Sequence, residues 1–309
     1  MNKFFKIILV SFVGLWSAPA FSGDLSPLIT PSELASMTKN PLILDIRAKG
    51  FQLGHIEGAV AAPYNLFRGP VENPGQVPPI MQLEAVYEAS GLEQSSAIVI
   101  VSHGDDDTDF GAAARVYWTL KSSGFTELSV LNGGLLAWTN AGLPLSTVVI
   151  APKPTQLDIT WNNTWSVSVD EITQMVSGDI PGKLIDARTP AFFVGEKAHK
   201  AAARPGTLPK AQNLPYTEFF NSGTAVLKHS IDDVSLKSTL GIKAGDAVVS
   251  FCNTGHWAAT DWFAMSEVAG IANVKLYPGS MVEYSKTDGK MKNQPSIIRN
   301  LFNKLTGKS

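Results

Sequence analysis

Cysteine is almost absent from this chain: Cys252 is the only one in 309 residues. An internal disulfide is therefore excluded, and so is a dithiol exchange that resolves through a second thiol of the same chain. An excess of one charge is also missing. The 25 Lys and Arg residues face 27 Asp and Glu, a formal net charge of −2, so no nucleic-acid or anionic-lipid partner is expected. With 44% hydrophobic and 17% charged residues, the composition is that of a folded, water-soluble chain rather than a disordered one. Beyond the first residues, no apolar run approaches the ~20 residues of a membrane-spanning helix.

Those first residues have the order of parts of a signal peptide. Lys3 and Lys6 precede an apolar stretch from Ile7 to Trp16, and Ala18-Pro19-Ala20 or Ala20-Phe21-Ser22 supplies small residues for cleavage. The expectation is a signal peptide over residues 1–22, a periplasmic or secreted product, and no integral membrane span in the mature chain.

The rest reads as one unit written twice. Thr30-Pro31-Ser32-Glu33 and Ser168-Val169-Asp170-Glu171 both have capping-box spacing. A strand ending in Asp-x-Arg follows each, Leu42 to Arg47 and Leu184 to Arg188. Asn65-Leu66 and Asn213-Leu214-Pro215 are read as equivalent turns. Apolar strands at Ala97–Val101 and Ala247–Phe251 each lead into a loop and a helix, then a strand and a glycine-containing turn. Short β-branched runs alternating with helical segments predict α/β architecture: parallel sheets flanked by helices. The expected division is a domain over 23–148, a linker over 149–164, a second domain over 165–289, and a tail helix over 290–309. In that tail Ile297, Ile298, Leu301, Phe302 and Leu305 share one face.

Cys252 stands where the second repeat's apolar strand ends. Asn253-Thr254-Gly255-His256-Trp257 then turns the chain into a helix. Backbone N–H groups of such a loop can converge on an anion, and the positive end of a helix favours thiolate over thiol. Gly255 fits a backbone conformation that a Cβ would penalise. Phosphate-ester hydrolysis by a Cys-x5-Arg loop would need arginine at position 258, which is Ala258.

With these parts in order, the chain resembles the tandem-domain rhodaneses, the thiosulfate and 3-mercaptopyruvate sulfurtransferases. The resemblance rests on Leu44-Asp45-Ile46-Arg47 with Gly54-His55-Ile56-Glu57-Gly58-Ala59, and on Val130-Leu131-Asn132-Gly133-Gly134-Leu135 with Trp138. It continues through Leu184-Ile185-Asp186-Ala187-Arg188, Phe251-Cys252 with its loop, and Tyr277-Pro278-Gly279-Ser280-Met281-Val282-Glu283. It implies two rhodanese-like domains, the first without a catalytic cysteine, since its matching strand ends in Ser102-His103-Gly104. It also implies that Cys252 is the nucleophile, forming a persulfide from a small anionic sulfur donor and passing the sulfur to a thiol, cyanide or protein acceptor, with no cofactor or metal. Arg188 matches a donor-binding arginine, and Asn253, Thr254, Gly255, His256 and Trp257 form the substrate-binding loop. An ion pair between Arg188 and Asp186 is the structural alternative for that arginine.

Departures from the pattern bear on the donor. Thiosulfate enzymes carry cations just after the cysteine, where Asn253 and Thr254 stand; mercaptopyruvate enzymes carry a hydroxyl residue where Trp257 stands. Thiosulfate is the default donor, with mercaptopyruvate transfer or a persulfide-carrier role as alternatives. His256 is a candidate for sharing a proton with the leaving group or adding charge near the thiolate, and Trp257 for shielding the site. His55 is read as structural.

Overall fold

The computed structural model describes residues 25–295; the expected signal segment and residues 296–309 of the expected tail helix lie outside them. Five parallel strands form the first sheet: β1 (Leu28–Ile29), β2 (Leu42–Asp45), β3 (Val60–Ala61), β4 (Ile98–Val101) and β5 (Leu128–Leu131), in the order β1-β5-β4-β2-β3. Four form the second: β6 (Lys183–Asp186), β7 (Gln212–Asn213), β8 (Val248–Phe251) and β9 (Val274–Leu276), in the order β7-β6-β8-β9, again all parallel. The counterpart of β1 is a single parallel bridge from Ser166 to Leu276. The expected pair of α/β domains, each a parallel sheet flanked by helices, is what the chain forms.

The helices of the first domain are α1 (Pro31–Ser36), α2 (Ile80–Ala89), α3 (Asp107–Ser122) and α4 (Gly134–Asn140). Those of the second are α5 (Val169–Ser177), α6 (Pro190–Phe193), α7 (Asp233–Leu240), α8 (Trp257–Phe263) and α9 (Ser280–Tyr284). Both capping boxes form. Glu33 accepts from the Thr30 N–H at 2.7 Å and Glu171 from the Ser168 N–H at 2.8 Å, while each hydroxyl accepts from the glutamate's own N–H. Among the described residues no helix is long and apolar enough to cross a membrane.

One register detail corrects the reading of the repeat. The Tyr64 N–H donates to Ile46 O and the Tyr216 N–H to Ala187 O, each opening a 3₁₀ turn. The equivalent residues are therefore Tyr64 and Tyr216, not Asn65 and Asn213; Asn213 lies in β7.

The two domains share one apolar cluster. It runs from Ile98, Ile100, Ala113 and Trp118 of the first to Ala258, Trp262, Phe263 and Leu276 of the second. Its seam is α3 against α8. Small residues on both helices, Gly111 to Ala114 and Ala258–Ala259, let the backbones approach. A Cβ on Gly111 would come within 3.0 Å of the His256 carbonyl oxygen. This seam brings the loop that follows β8 against the first domain.

Candidate active site

Cys252 follows β8 directly, at the carboxyl end of a central parallel strand where α/β sheets commonly bind ligands. It is 1% exposed. Its surroundings are not purely apolar: Tyr64, Arg115 and Asp261 each lie close enough to feel the charge of its sulfur.

The loop is tied from behind. Ser280 Oγ accepts from the N–H groups of Cys252 (3.0 Å) and Gly255 (3.1 Å) and donates to Tyr277 O (2.8 Å). Met281 and Val282 N–H donate to the carbonyls of Cys252 and Asn253. Ser280 achieves this with φ at +52°, in the left-handed region that non-glycine residues avoid. Gly255 also has positive φ, +66°, and a Cβ there would meet Arg115 Nη1 and Pro278 O at 2.5 Å. The N–H groups of Asn253, Thr254, His256, Trp257 and Ala258 have no acceptor among the described residues. α8 begins with no side-chain cap and no acidic residue in its first turn. A helix N-terminus with its donors open is an anion-binding element.

Arg188 is held by groups of its own domain. Its Nε and Nη2 donate to Asp186 Oδ1 and Oδ2 at 2.9 and 2.6 Å, Nη2 also donates to Gly206 O, and Nη1 to Asn253 Oδ1 at 3.2 Å. The cysteine-free domain repeats this arrangement: Arg47 donates to both Asp45 oxygens and to Gly54 O. The expected donor-binding role is therefore replaced by the structural alternative, a buried ion pair that in the second domain also orients Asn253.

His256 is corrected as well. Its Nε2 lies 2.8 Å from Thr108 O, which only accepts, so Nε2 carries the hydrogen and Nδ1 is left to accept from Tyr64 O–H at 2.9 Å. Burial, with Arg68 and then Arg115 adding to it against the Thr108 contact, pushes its pKa down to about 4. A neutral imidazole with both nitrogens engaged is a clasp to the first domain. It is not a charge beside the sulfur or a proton donor to the leaving group.

Trp257 stacks on Tyr216 (centroids 4.9 Å apart, planes at 10°) and meets Phe192 edge-on at 5.9 Å. Thr254 is half-buried, and Asn253 and Gly255 are buried within the loop. His55 lies between the carbonyls of Phe51 and Val148, stacked on Phe51, away from the loop.

Several contributors had no signal near Cys252 in the sequence. Tyr64, Arg68 and Arg115 come from the first domain. Arg68 Nη1 donates to Tyr64 O (3.0 Å), completing a chain from Arg68 through Tyr64 to His256. Arg115 lies one helical turn beyond Gly111 on α3 and is 0% exposed. Asp261, on α8, is buried with neither carboxyl oxygen hydrogen-bonded. Burial first, then the charges of Cys252 and Asp186, pushes its pKa well above the usual carboxylate range.

Known proteins share this architecture. The chain is 29% identical over 266 residues to a thiosulfate sulfurtransferase of Azotobacter vinelandii, covering 84% of this chain and 94% of that one. It is 26% identical over 298 residues to a putative thiosulfate sulfurtransferase of Synechococcus elongatus, covering 92% and 91%. The crystal structure of SseA from Escherichia coli, described as a 3-mercaptopyruvate sulfotransferase, superposes with a TM-score of 0.70 at 22% identity, over 83% of this chain and 99% of that one. At that identity the likeness speaks for the fold alone. The model of the rhodanese-like domain matches twice, over residues 30–141 and 168–287, and with both copies present the chain belongs to the rhodanese-like domain family.

Proposed function

We propose that the protein is a sulfurtransferase that carries a sulfane sulfur on Cys252, taking it from a small anionic donor of which thiosulfate is the first choice. The observation that carries this reading is the set of open N–H groups between Asn253 and Ala258, beside the chain's one thiol and at an uncapped helix start.

The Cys252 thiolate attacks the outer sulfur of thiosulfate. The sulfur–sulfur bond of the donor breaks, sulfite leaves with the electron pair, and Cys252 becomes a persulfide anion. The open amides stabilise that anion, as oriented backbone donors do for charge held away from water. An acceptor, cyanide or a thiolate, then attacks the terminal sulfur, releasing thiocyanate or a persulfide and regenerating the thiolate. With Cys252 1% exposed, a small donor is favoured over a bulky one. No step calls for a metal or organic cofactor. Export to the periplasm or outside the cell is part of the proposal and rests on residues 1–22 alone.

The test is intact mass after incubation with thiosulfate or mercaptopyruvate, followed by steady-state thiocyanate formation with cyanide. Wild type is expected to gain the mass of one sulfur atom and to turn over with thiosulfate, and Cys252→Ala to do neither. Equal activity in wild type and Cys252→Ala removes the mechanism. A stable adduct without turnover reassigns the protein as a sulfur carrier, and loading by mercaptopyruvate alone reassigns the donor.

A further inference from the structure

We propose that the positive charge of this site is supplied by the cysteine-free domain, with Arg115 as the buried counter-ion of the Cys252 sulfur and Arg68 as the ligand of the incoming anion. The inference rests on the sulfurtransferase reading and extends it: the first domain contributes half of the active site.

The starting point is a charge that the loop does not hold. Residues 253–257 include no lysine or arginine, His256 is held neutral, and Arg188 is bound to Asp186. Yet the chemistry is anionic throughout, with a thiolate, a dianionic donor and a persulfide in turn.

Arg115 carries the complementary anomaly. It is fully buried, and its partners among the described residues are two backbone carbonyls, Gly75 at 2.7 Å and Gly255 at a longer 3.4 Å, together with the face of Trp118 at 4.8 Å. Its Nε has no partner, and no carboxylate among the described residues pairs with it. A cation taken out of water without a counter-ion is strongly unfavourable. The ionisable groups of opposite sign that act on it are Tyr64, a phenol held neutral by burial, and Cys252. The anion that Arg115 lacks is thus the Cys252 thiolate or its persulfide. Burial and the neighbouring Arg68 lower the Arg115 pKa to about 9, which leaves it cationic at neutral pH.

Arg68 is the outer member. It is half-buried, leans over the Tyr64 ring at 5.3 Å, and gives one hydrogen bond, to the Tyr64 oxygen. Its remaining N–H groups suit the paired oxygens of a sulfonate or carboxylate. The counterpart of Arg68, four residues beyond the equivalent tyrosine, is Phe220. It is buried edge-on against Phe110 at the mirror position of the interface, where the facing loop has no thiol. Arginine occurs on the side that faces the sulfur and an apolar ring on the side that does not.

The experiment compares Arg68→Gln, Arg115→Met and Arg115→Lys with wild type in the full chain. It follows alkylation of Cys252 by neutral iodoacetamide and anionic iodoacetate across pH, and the concentration dependence of sulfur loading by thiosulfate. Arg68→Gln is expected to raise the donor KM about 10-fold and to lower the iodoacetate-to-iodoacetamide rate ratio by a similar factor, as loss of one partly desolvated ion contact does. Arg115→Met should move the rise of the iodoacetamide profile to higher pH by about one unit, and Arg115→Lys should restore most of that shift. Should Arg115→Met fail to fold, Arg115→Lys and Arg68→Gln still decide. An unchanged reagent ratio and KM in Arg68→Gln, or profiles for Arg115→Met and Arg115→Lys displaced alike, would overturn the inference. Cys252→Ala is assayed alongside: if it still transfers sulfur, the functional reading falls, whereas arginine variants behaving as wild type while Cys252→Ala is inert sink this inference alone.

Discussion

At the end of β4 the cysteine-free domain runs through Ser102–Asp106 into α3, and at the end of β8 its counterpart runs through Cys252–His256 into α8. The two loops hang from the same backbone hydrogen bonds: Leu135 and Leu136 N–H to the carbonyls of Ser102 and His103, Met281 and Val282 N–H to those of Cys252 and Asn253. What differs is the occupant of each helix start. Asp106 caps α3, Asp107 and Asp109 add negative charge to its first turn, and the Asp109 carboxylate accepts from the Gly104 N–H. In α8 the same positions hold no acid and the donors remain open. One domain fills its helix start with its own acidic side chains; the other has no acid there. The shared scaffold is therefore neutral with respect to chemistry, and the site lies in what was left unfilled.

The sharpest test of what is shared is the Asp-x-Arg pair. Because Arg47 and Arg188 each pair with the aspartate two residues before and with a glycine carbonyl, Arg47→Met and Arg188→Met should destabilise to a similar extent. Each is expected to cost roughly 3–5 kcal/mol, the penalty for leaving a buried carboxylate without its partner, read as the shift in denaturant midpoint. Arg188→Met with near-native stability but lost thiosulfate loading would return that residue to the donor site. Next comes the test of what differs. His256→Asp places an acidic cap on α8, as Asp106 does on α3, and should slow loading by about 100-fold. His256→Asn caps without charge and should lose much less. Equal losses in both variants would assign the effect to the broken clasp rather than to charge.

How far the sequence exposed this follows from where each contact lies in the chain. Capping boxes, the two Asp-x-Arg strands and the cysteine at a strand end depend on spacings of a few residues, and all were legible. Arg188 was legible too, but its meaning was not. The decisive signal was Arg47, the same motif in a domain without a thiol, which marks the arginine as part of the scaffold. Tyr64, Arg68 and Arg115 come to the loop after β8 only through the packing of the first domain on the second, and no local pattern announces which residues an interface will place together. The partners of His256, Tyr64 and Thr108, lie 192 and 148 residues away.

That clasp gives the interface a pH dependence. The folded pKa of His256, about 4, lies below the ~6.5 of an unfolded histidine. Between those values the unfolded chain binds the proton and the folded chain does not. Stability is therefore lost as pH falls from about 6.5 toward 4, by about 2 kcal/mol between pH 7 and pH 5 for this one group. Denaturant midpoints measured across that range should fall in wild type and stay flatter in His256→Asn. Parallel curves would show that the imidazole is not the titrating group.

The smallest effect on sulfur loading is expected at the position where the two domains solve one backbone problem with different residues. Gly134 has φ +61° and Ser280 φ +52°. Gly134 leaves room for the backbone of Ser102–Gly104, where a Cβ would come within 2.8 Å of three of its atoms, whereas Ser280 fills that space with a hydroxyl that holds two loop amides. Ser280→Gly relieves about 1 kcal/mol of left-handed strain but gives up three hydrogen bonds worth about 0.5–1.5 kcal/mol each, so it should be less stable than wild type by roughly 0.5–3.5 kcal/mol. Ser280→Ala keeps the strain and loses the same bonds, and should be the less stable of the two. Both free the N–H groups of Cys252 and Gly255 from their acceptor and loosen the loop, so sulfur loading should slow several-fold in each while the fold persists. Loading at the wild-type rate in Ser280→Gly would mean that the cradle keeps its shape without the hydroxyl, and that a glycine of the kind found in the cysteine-free domain would have served the catalytic one equally well.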